Sequence, residues 1–121
     1  MVKKILLVDD SDDFREAVNS RLSANGYEVV QASDGSEALE SIKSQTPDLI
    51  ILDIKMPKMD GYTFIKNLKK EGKDIPVIIL TAYRDMESLF KMEGISDYFL
   101  KSDDLGVLIK KINALLGIGD K

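Results

Sequence analysis

A chain of 121 residues that is 44% hydrophobic, with a formal net charge of -4, suits one domain with a self-sufficient core, and it lacks the basic excess that a nucleic-acid backbone demands. It contains no Cys and no His, which excludes disulfides, thiolate metal sites, a histidine general base and a phosphohistidine within the chain. Chemistry here must come from carboxylates, hydroxyls and ammonium groups.

The hydrophobic period switches repeatedly between short continuous runs and helical spacing. Ile5-Leu6-Leu7-Val8 reads as a buried strand over 4–8 and runs into Asp9-Asp10. Phe14, Ala17, Val18, Arg21 and Leu22 then fall at i, i+3, i+4 spacing, which predicts a helix from Ser11 or Asp12 that Asn25-Gly26 closes. Residues 27–32 read as a second strand, Asp34-Gly35 as a turn, and Ala38, Leu39 and Ile42 as one face of a second helix that stops before Pro47. A third strand over 48–53 ends in Asp53. After a loop with Met56-Pro57 and Asp60-Gly61, Tyr62, Phe64, Ile65 and Leu68 mark a third helix that ends near Gly72. Pro76 opens the fourth strand, where a missing donor is tolerated, and Thr81 follows Val77-Ile78-Ile79-Leu80. A short helix over 86–92 ends at Gly94, and a fifth strand over 97–100 meets Lys101. Leu105, Leu108, Ile109, Ile112, Leu115 and Leu116 form a closing helix.

Five strands alternating with five helices predict a flavodoxin-like, doubly wound α/β fold: a five-stranded parallel sheet of order 2-1-3-4-5, covered on both faces, in a single domain over residues 1–121. Continuous Val/Ile/Leu runs fit strands buried on both sides. Ligands of such sheets bind beyond the carboxyl ends of the strands, where strand order reverses between the first and third strands. Asp9, Asp10 and Asp53 follow those two strands. Met1-Val2-Lys3-Lys4 runs directly into a strand, and no apolar run reaches the ~18 residues of a membrane span; a soluble, cytoplasmic protein without membrane insertion is expected. Gly117-Ile118-Gly119-Asp120-Lys121 fits either a tail or the stub of a linker, so a stand-alone domain and a fragment of a longer chain are both open.

Taken singly, these polar residues have plain structural roles. Asp9, Asp10 or Asp12 could cap a helix, Asp53 could be a solvated loop acid, and Lys101 a surface lysine. Together they demand compensation, because carboxylates ~4 Å apart repel by roughly 4 kcal/mol per pair at an effective dielectric near 20. A divalent cation and Lys101 would supply it, and an all-oxygen donor set suits magnesium better than zinc.

The runs LLVDDSDDFR, PDLIILDIKMPKMDG, TAY and DYFLK, in that order and across essentially the whole chain, resemble the receiver domain of two-component response regulators. The resemblance implies that Asp53 accepts a phosphoryl group with Mg2+ as cofactor. It implies that Asp10 is the direct magnesium ligand, that Asp9 binds directly or through water, and that the Lys55 backbone carbonyl completes the protein ligands beside Asp53. Thr81 would contact the phosphoryl group, Lys101 would pair with acceptor or phosphoryl oxygens, and Tyr98 would be the aromatic switch residue. Lys55 and Tyr83 stand two positions after Asp53 and Thr81, where receiver side chains flank the attacking water and tune the lifetime of the phosphorylated state.

The implied partners are a sensor histidine kinase or histidine phosphotransferase, which would supply the missing imidazole, and a downstream protein target, with no direct nucleic-acid contact. Such a domain is a signalling phosphoacceptor that catalyses only its own phosphorylation and dephosphorylation. Two departures concern the output side. Ser102 stands where receivers usually carry a cis-proline; a cis bond to a non-proline costs ~2.5–4 kcal/mol, so a trans bond is expected. The stretch from Thr81 to Lys101 is also slightly short, which trims the fourth helix.

Rival interpretations are a receiver-like interaction module without phosphorylation, a small magnesium-dependent phosphatase of haloacid-dehalogenase type, and a flavin or nucleotide binder. The phosphatase would use Asp10 of Asp10-Ser11-Asp12 as acceptor, and the chain has no room for a cap domain. The nucleotide binder would need a glycine-rich phosphate loop after the first strand, where acids stand instead.

Overall fold

The computed structural model describes residues 2–54, 59–81 and 94–117. The elements in chain order are β1 (Lys4–Val8), α1 (Asp12–Ala24), β2 (Glu28–Ala32), α2 (Gly35–Ser44), β3 (Leu49–Asp53), α3 (Gly61–Lys70), β4 (Val77–Thr81), β5 (Asp97–Leu100) and α4 (Leu105–Leu115). All strand pairs are parallel, and the sheet order is β2-β1-β3-β4-β5, the expected flavodoxin-like arrangement. Four helices occur among the described residues. The short helix expected over 86–92, with Met86 and Met92, lies outside the described residues, as do Met56 and Pro57.

Strand alternation divides the core into two layers. Leu6, Val8, Ile50, Leu52 and Ile79 pack with Ala38 and Ile42 of α2 and with Phe64, Ile65 and Leu68 of α3. Ile5, Leu7, Ile51, Leu80 and Phe99 pack on the other face with Val18 and Leu22 of α1 and with Leu108 and Ile112 of α4. Every residue of β3 and β4 is buried, as central strands covered on both sides must be. Phe64 is fully buried; truncating it to Ala would cost about 3–5 kcal/mol through lost burial and the cavity left behind.

Each helix begins on a polar cap immediately or shortly after a strand. Ser11, Asp34, Asp60 and Asp104 accept backbone N–H groups from Phe14, Glu37, Thr63 and Gly106, satisfying donors the helix itself cannot. Asp34-Gly35 is therefore a cap and the first helical residue rather than a free turn. Its signal was ambiguous because Asp favours both settings. Asn25-Gly26 closes α1 as expected, with Gly26 at φ 88°, and Tyr27 precedes β2 rather than joining it, its side chain buried in the α1/α4 layer. Gly61 opens α3 for a packing reason: a Cβ there would lie 3.1 Å from Ile54 Cα, and its N–H donates to the Ile54 carbonyl at 3.1 Å. The start of α3 is thus locked onto the backbone that follows Asp53. No helix among the described residues is long and apolar enough to cross a membrane.

Candidate metal and phosphoryl site

Register brings the first two acids together. Val8 of β1 is level with Leu52 of β3, so Asp9 and Asp53 emerge side by side at the carboxyl ends. Asp9 continues the ladder by donating its N–H to the Ala32 carbonyl at 3.1 Å. Its Oδ1 accepts the Ser11 N–H at 2.8 Å, a side-chain turn that bends the chain into α1. Asp9 and Asp53 are 0% and 5% exposed, whereas Asp10 is exposed. One carboxylate oxygen from each of Asp9, Asp10 and Asp53 lies within 4.8 Å of the others.

Lys101 enters from β5. Its backbone N–H donates to the Thr81 carbonyl at 2.9 Å, and its Nζ stands 2.7 Å from Asp9 Oδ2 and 3.3 Å from Asp53 Oδ2. The Asp53 contact is a hydrogen bond. The Asp9 contact is an ion pair outside hydrogen-bond alignment, and Asp9 Oδ2 accepts no hydrogen bond. Lys101 Nζ also lies 4.8 Å from the centre of the Phe14 ring, a cation–π contact from the first turn of α1. Burial alone would lower the Lys101 pKa. Contact with the Asp9 carboxylate and the charges of Asp53 and Asp9 outweigh it and hold the ammonium above the ordinary lysine value.

These residues fit magnesium. Three clustered carboxylates in a chain without His or Cys form an all-oxygen donor set that suits a hard divalent cation, and the buried Asp9 Oδ2 is met by the Lys101 ammonium outside hydrogen-bond alignment. One ammonium does not balance three carboxylates.

Thr81 closes β4, buried at 3% exposure, next to the strand that carries Asp53. Tyr98 is level with Ile79 across β4 and β5 and packs against the α2/α3 layer together with it. Thr81 stands two residues beyond Ile79, so Thr81 and Tyr98 share one sheet face on adjacent strands. Lys111 of α4 covers the Tyr98 ring at 5.0 Å and pairs with Asp97 Oδ1 at 2.9 Å. No described peptide bond is cis, so the bond from Lys101 to Ser102 is trans, as expected. Lys55 and Tyr83 lie outside the described residues. Sequence reasoning missed Phe14 beneath Lys101, Lys111 beside Tyr98, and Arg15, whose Nη1 donates to the Asp9 carbonyl at 2.6 Å. Phe14 was visible only as a core residue and Arg15 only as a polar position of a helix.

Fold and site together define a small doubly wound α/β domain with a lysine-bridged carboxylate crevice at its topological switch point. Residues 5–113 match the response regulator receiver domain family, and the chain belongs to that family. It is similar to a probable transcriptional regulator ycf27 of Cyanophora paradoxa, 45% identical over 94% of this chain and 48% of that protein. It is also similar to the response regulator MprA of Mycolicibacterium vanbaalenii, 40% identical over 96% of this chain and 51% of that protein. The chain thus spans about half the length of these curated relatives. Among solved structures, the response regulator TrrA of Thermotoga maritima in complex with Mg2+-BeF superposes with a TM-score of 0.86, 37% identity, and coverage of 94% of this chain and 99% of that one. The chain is therefore a receiver domain of two-component signalling, in a family whose members serve as signalling phosphoacceptors and interact with histidine kinases and effector domains.

Proposed function

We propose that residues 1–121 act as one receiver domain that accepts a phosphoryl group on Asp53 from a phosphohistidine of a sensor kinase or histidine phosphotransferase. The observation that carries this is the pairing of one ammonium, Lys101, with two buried carboxylates, Asp9 and Asp53, while Asp10 completes the acidic group. Asp9, Asp10 and Asp53, with the Lys55 carbonyl, would hold Mg2+, which when bound neutralises charge on the crevice and on the transferring group. A Mg2+-BeF complex of the Thermotoga relative supports that assignment.

Asp53 is the nucleophile: a carboxylate oxygen forms a bond to phosphorus as the phosphorus–nitrogen bond of the donor imidazole breaks, and the electron pair leaves with that imidazole. Lys101 offsets negative charge on the acceptor and phosphoryl oxygens, and the Thr81 hydroxyl donates to them. Turning Thr81 toward the phosphoryl group frees space on the face it shares with Tyr98, which turns inward and changes the surface near β5 and α4. Lys55 and Tyr83, outside the described residues, are assigned the role of slowing hydrolysis of the acyl phosphate and so lengthening its lifetime. The domain catalyses only these steps on itself, and its output is a protein contact, either with a separate target or with a further segment of a longer regulator.

Incubating the protein with a small acyl phosphate in Mg2+, then mapping the label, tests the assignment. Label should appear on Asp53 and vanish in Asp53→Ala. Undiminished, stable labelling of Asp53→Ala would overturn it. Decay rates of phosphorylated wild type, Lys55→Ala and Tyr83→Ala should differ, with both variants faster; three equal rates would remove the lifetime role.

A further inference from the structure

We infer that Arg15 is a positioning residue that fixes the peptide unit between Asp9 and Asp10 and so sets the metal affinity of the crevice; this rests on the acidic site proposed above. Arg15 lies in the first turn of α1, and its side chain is only 14% exposed. Its guanidinium donates in three directions: Nη1 to the Asp9 carbonyl at 2.6 Å, Nε to Gln31 Oε1 at 3.2 Å, and Nη2 to the Asp12 carboxylate. Gln31 belongs to β2 and is level with Leu7 of β1. The fork therefore ties the end of β1 to β2 and to the helix that follows.

The pair with Asp12 alone would be a surface i, i+3 contact, since Asp12 is 86% exposed, and such pairs contribute little. It explains neither the burial of Arg15 nor the bond to the Asp9 carbonyl. That bond matters because of what else holds Asp9. Its N–H is committed to Ala32, its Oδ1 to Ser11, and its carbonyl to Arg15, while Oδ2 at the Lys101 side accepts no hydrogen bond. The Asp9 carbonyl and the Asp10 N–H share one rigid peptide plane. Clamping the oxygen fixes that plane and with it the Cα from which the exposed Asp10 side chain departs. One guanidinium thus sets the spacing of two acids in the cluster.

Charge and positioning predict opposite signs. A permanent cation near a divalent ion opposes its binding, so if charge were the main role of Arg15, removing it would tighten magnesium binding. If positioning is its main role, removing it weakens binding, and Lys, which keeps the charge but lacks the three-way fork, fails as a replacement.

Calorimetric titration of MgCl2 into the full chain as wild type, Arg15→Met and Arg15→Lys decides between them, at a temperature where circular dichroism shows each folded. Both variants should bind magnesium about tenfold more weakly, the low end for loss of a group that orients a metal ligand, and the Asp10 amide resonance should shift in both. Equal or tighter binding by Arg15→Met, or full recovery of wild-type affinity in Arg15→Lys, would overturn the inference. If Arg15→Met does not fold, Arg15→Lys decides alone, tenfold weakening supporting positioning and unchanged affinity refuting it. Absence of magnesium binding by the wild type would instead overturn the acidic site itself, which keeps the two failures distinguishable.

Discussion

At the amino ends of the strands, the Lys4 backbone N–H donates to Asp48 Oδ2 at 2.7 Å and the Lys4 ammonium pairs with Glu28 at 3.3 Å, with Glu28 and Asp48 exposed to solvent. At the carboxyl ends, two acids are almost wholly buried, one ammonium is shared between them, and an oxygen of Asp9 accepts no hydrogen bond. Both ends belong to one sheet and place charge beside the ends of the same central strands. Water and a local partner satisfy charge at the amino end, so it is cheap there and contributes little. Burial and crowding at the carboxyl end keep charge unbalanced, a cost that a bound divalent cation would relieve.

Replacing Lys101 should sharpen that contrast most. Lys101→Met removes the ammonium that pairs with both carboxylates, Asp9 and Asp53, and phosphorylation of Asp53 by a small acyl phosphate should slow by roughly a hundredfold, as for loss of one charge-stabilising donor. Stopped-flow or label-incorporation rates measure this; a rate within a factor of three of wild type would show that the lysine contact is structural. The counterpart at the amino end, Glu28→Gln, should leave that rate unchanged.

Magnesium should stabilise the folded chain, because a ligand that binds only the native state adds about 2.7 kcal/mol at a hundredfold excess over its dissociation constant. Asp10→Asn should diminish that gain while making the metal-free protein more stable by up to about 1 kcal/mol, since one repelling carboxylate is gone. Urea unfolding with and without magnesium reads both effects, and a variant destabilised without metal would contradict the crowding of charge.

The protonated Lys101 gives the next effect. Its folded pKa is raised above 10.5, so its contribution to metal-free stability is fully present below the unfolded value and is lost as pH rises through the folded one. The stability difference between wild type and Lys101→Met should therefore be constant from neutral pH to about 10.5 and shrink above it. A difference that grows with pH would reverse the sign and the cause. The smallest effect belongs to the solvated end: Glu28→Gln should change unfolding free energy by no more than about 0.5 kcal/mol, as exposed ion pairs do. A loss several times larger would erase the contrast between the two ends.

Much of this domain is local in its sequence. Continuous apolar runs such as Leu49-Ile50-Ile51-Leu52, with acids directly behind them, mark buried parallel strands and their chemical ends, because alternation and helical spacing depend on residues within one or two turns of each other. The strand-end residues Asp9, Asp10, Asp53, Thr81 and Lys101 were legible for that reason. Asp34-Gly35 was misjudged because a helix cap and a turn use the same short-range chemistry, and only the packing of α2 chooses between them. The pairing of Lys101 with the acidic residues was expected from the resemblance, whereas the contacts of Phe14, Arg15 and Lys111 around the site were not legible. Lys101 reaches acids 92 and 48 positions earlier in the chain, and Arg15 holds a backbone carbonyl and a β2 side chain together. A backbone oxygen carries no residue identity, and a partner dozens of positions away leaves no periodic trace. The shared face of Thr81 and Tyr98 likewise exists only once β4 and β5 pair in register. Local periodicity determined the elements and their polar ends; tertiary packing decided which charges share a partner, because burial and long-range pairing come into being only when the strands close into one sheet.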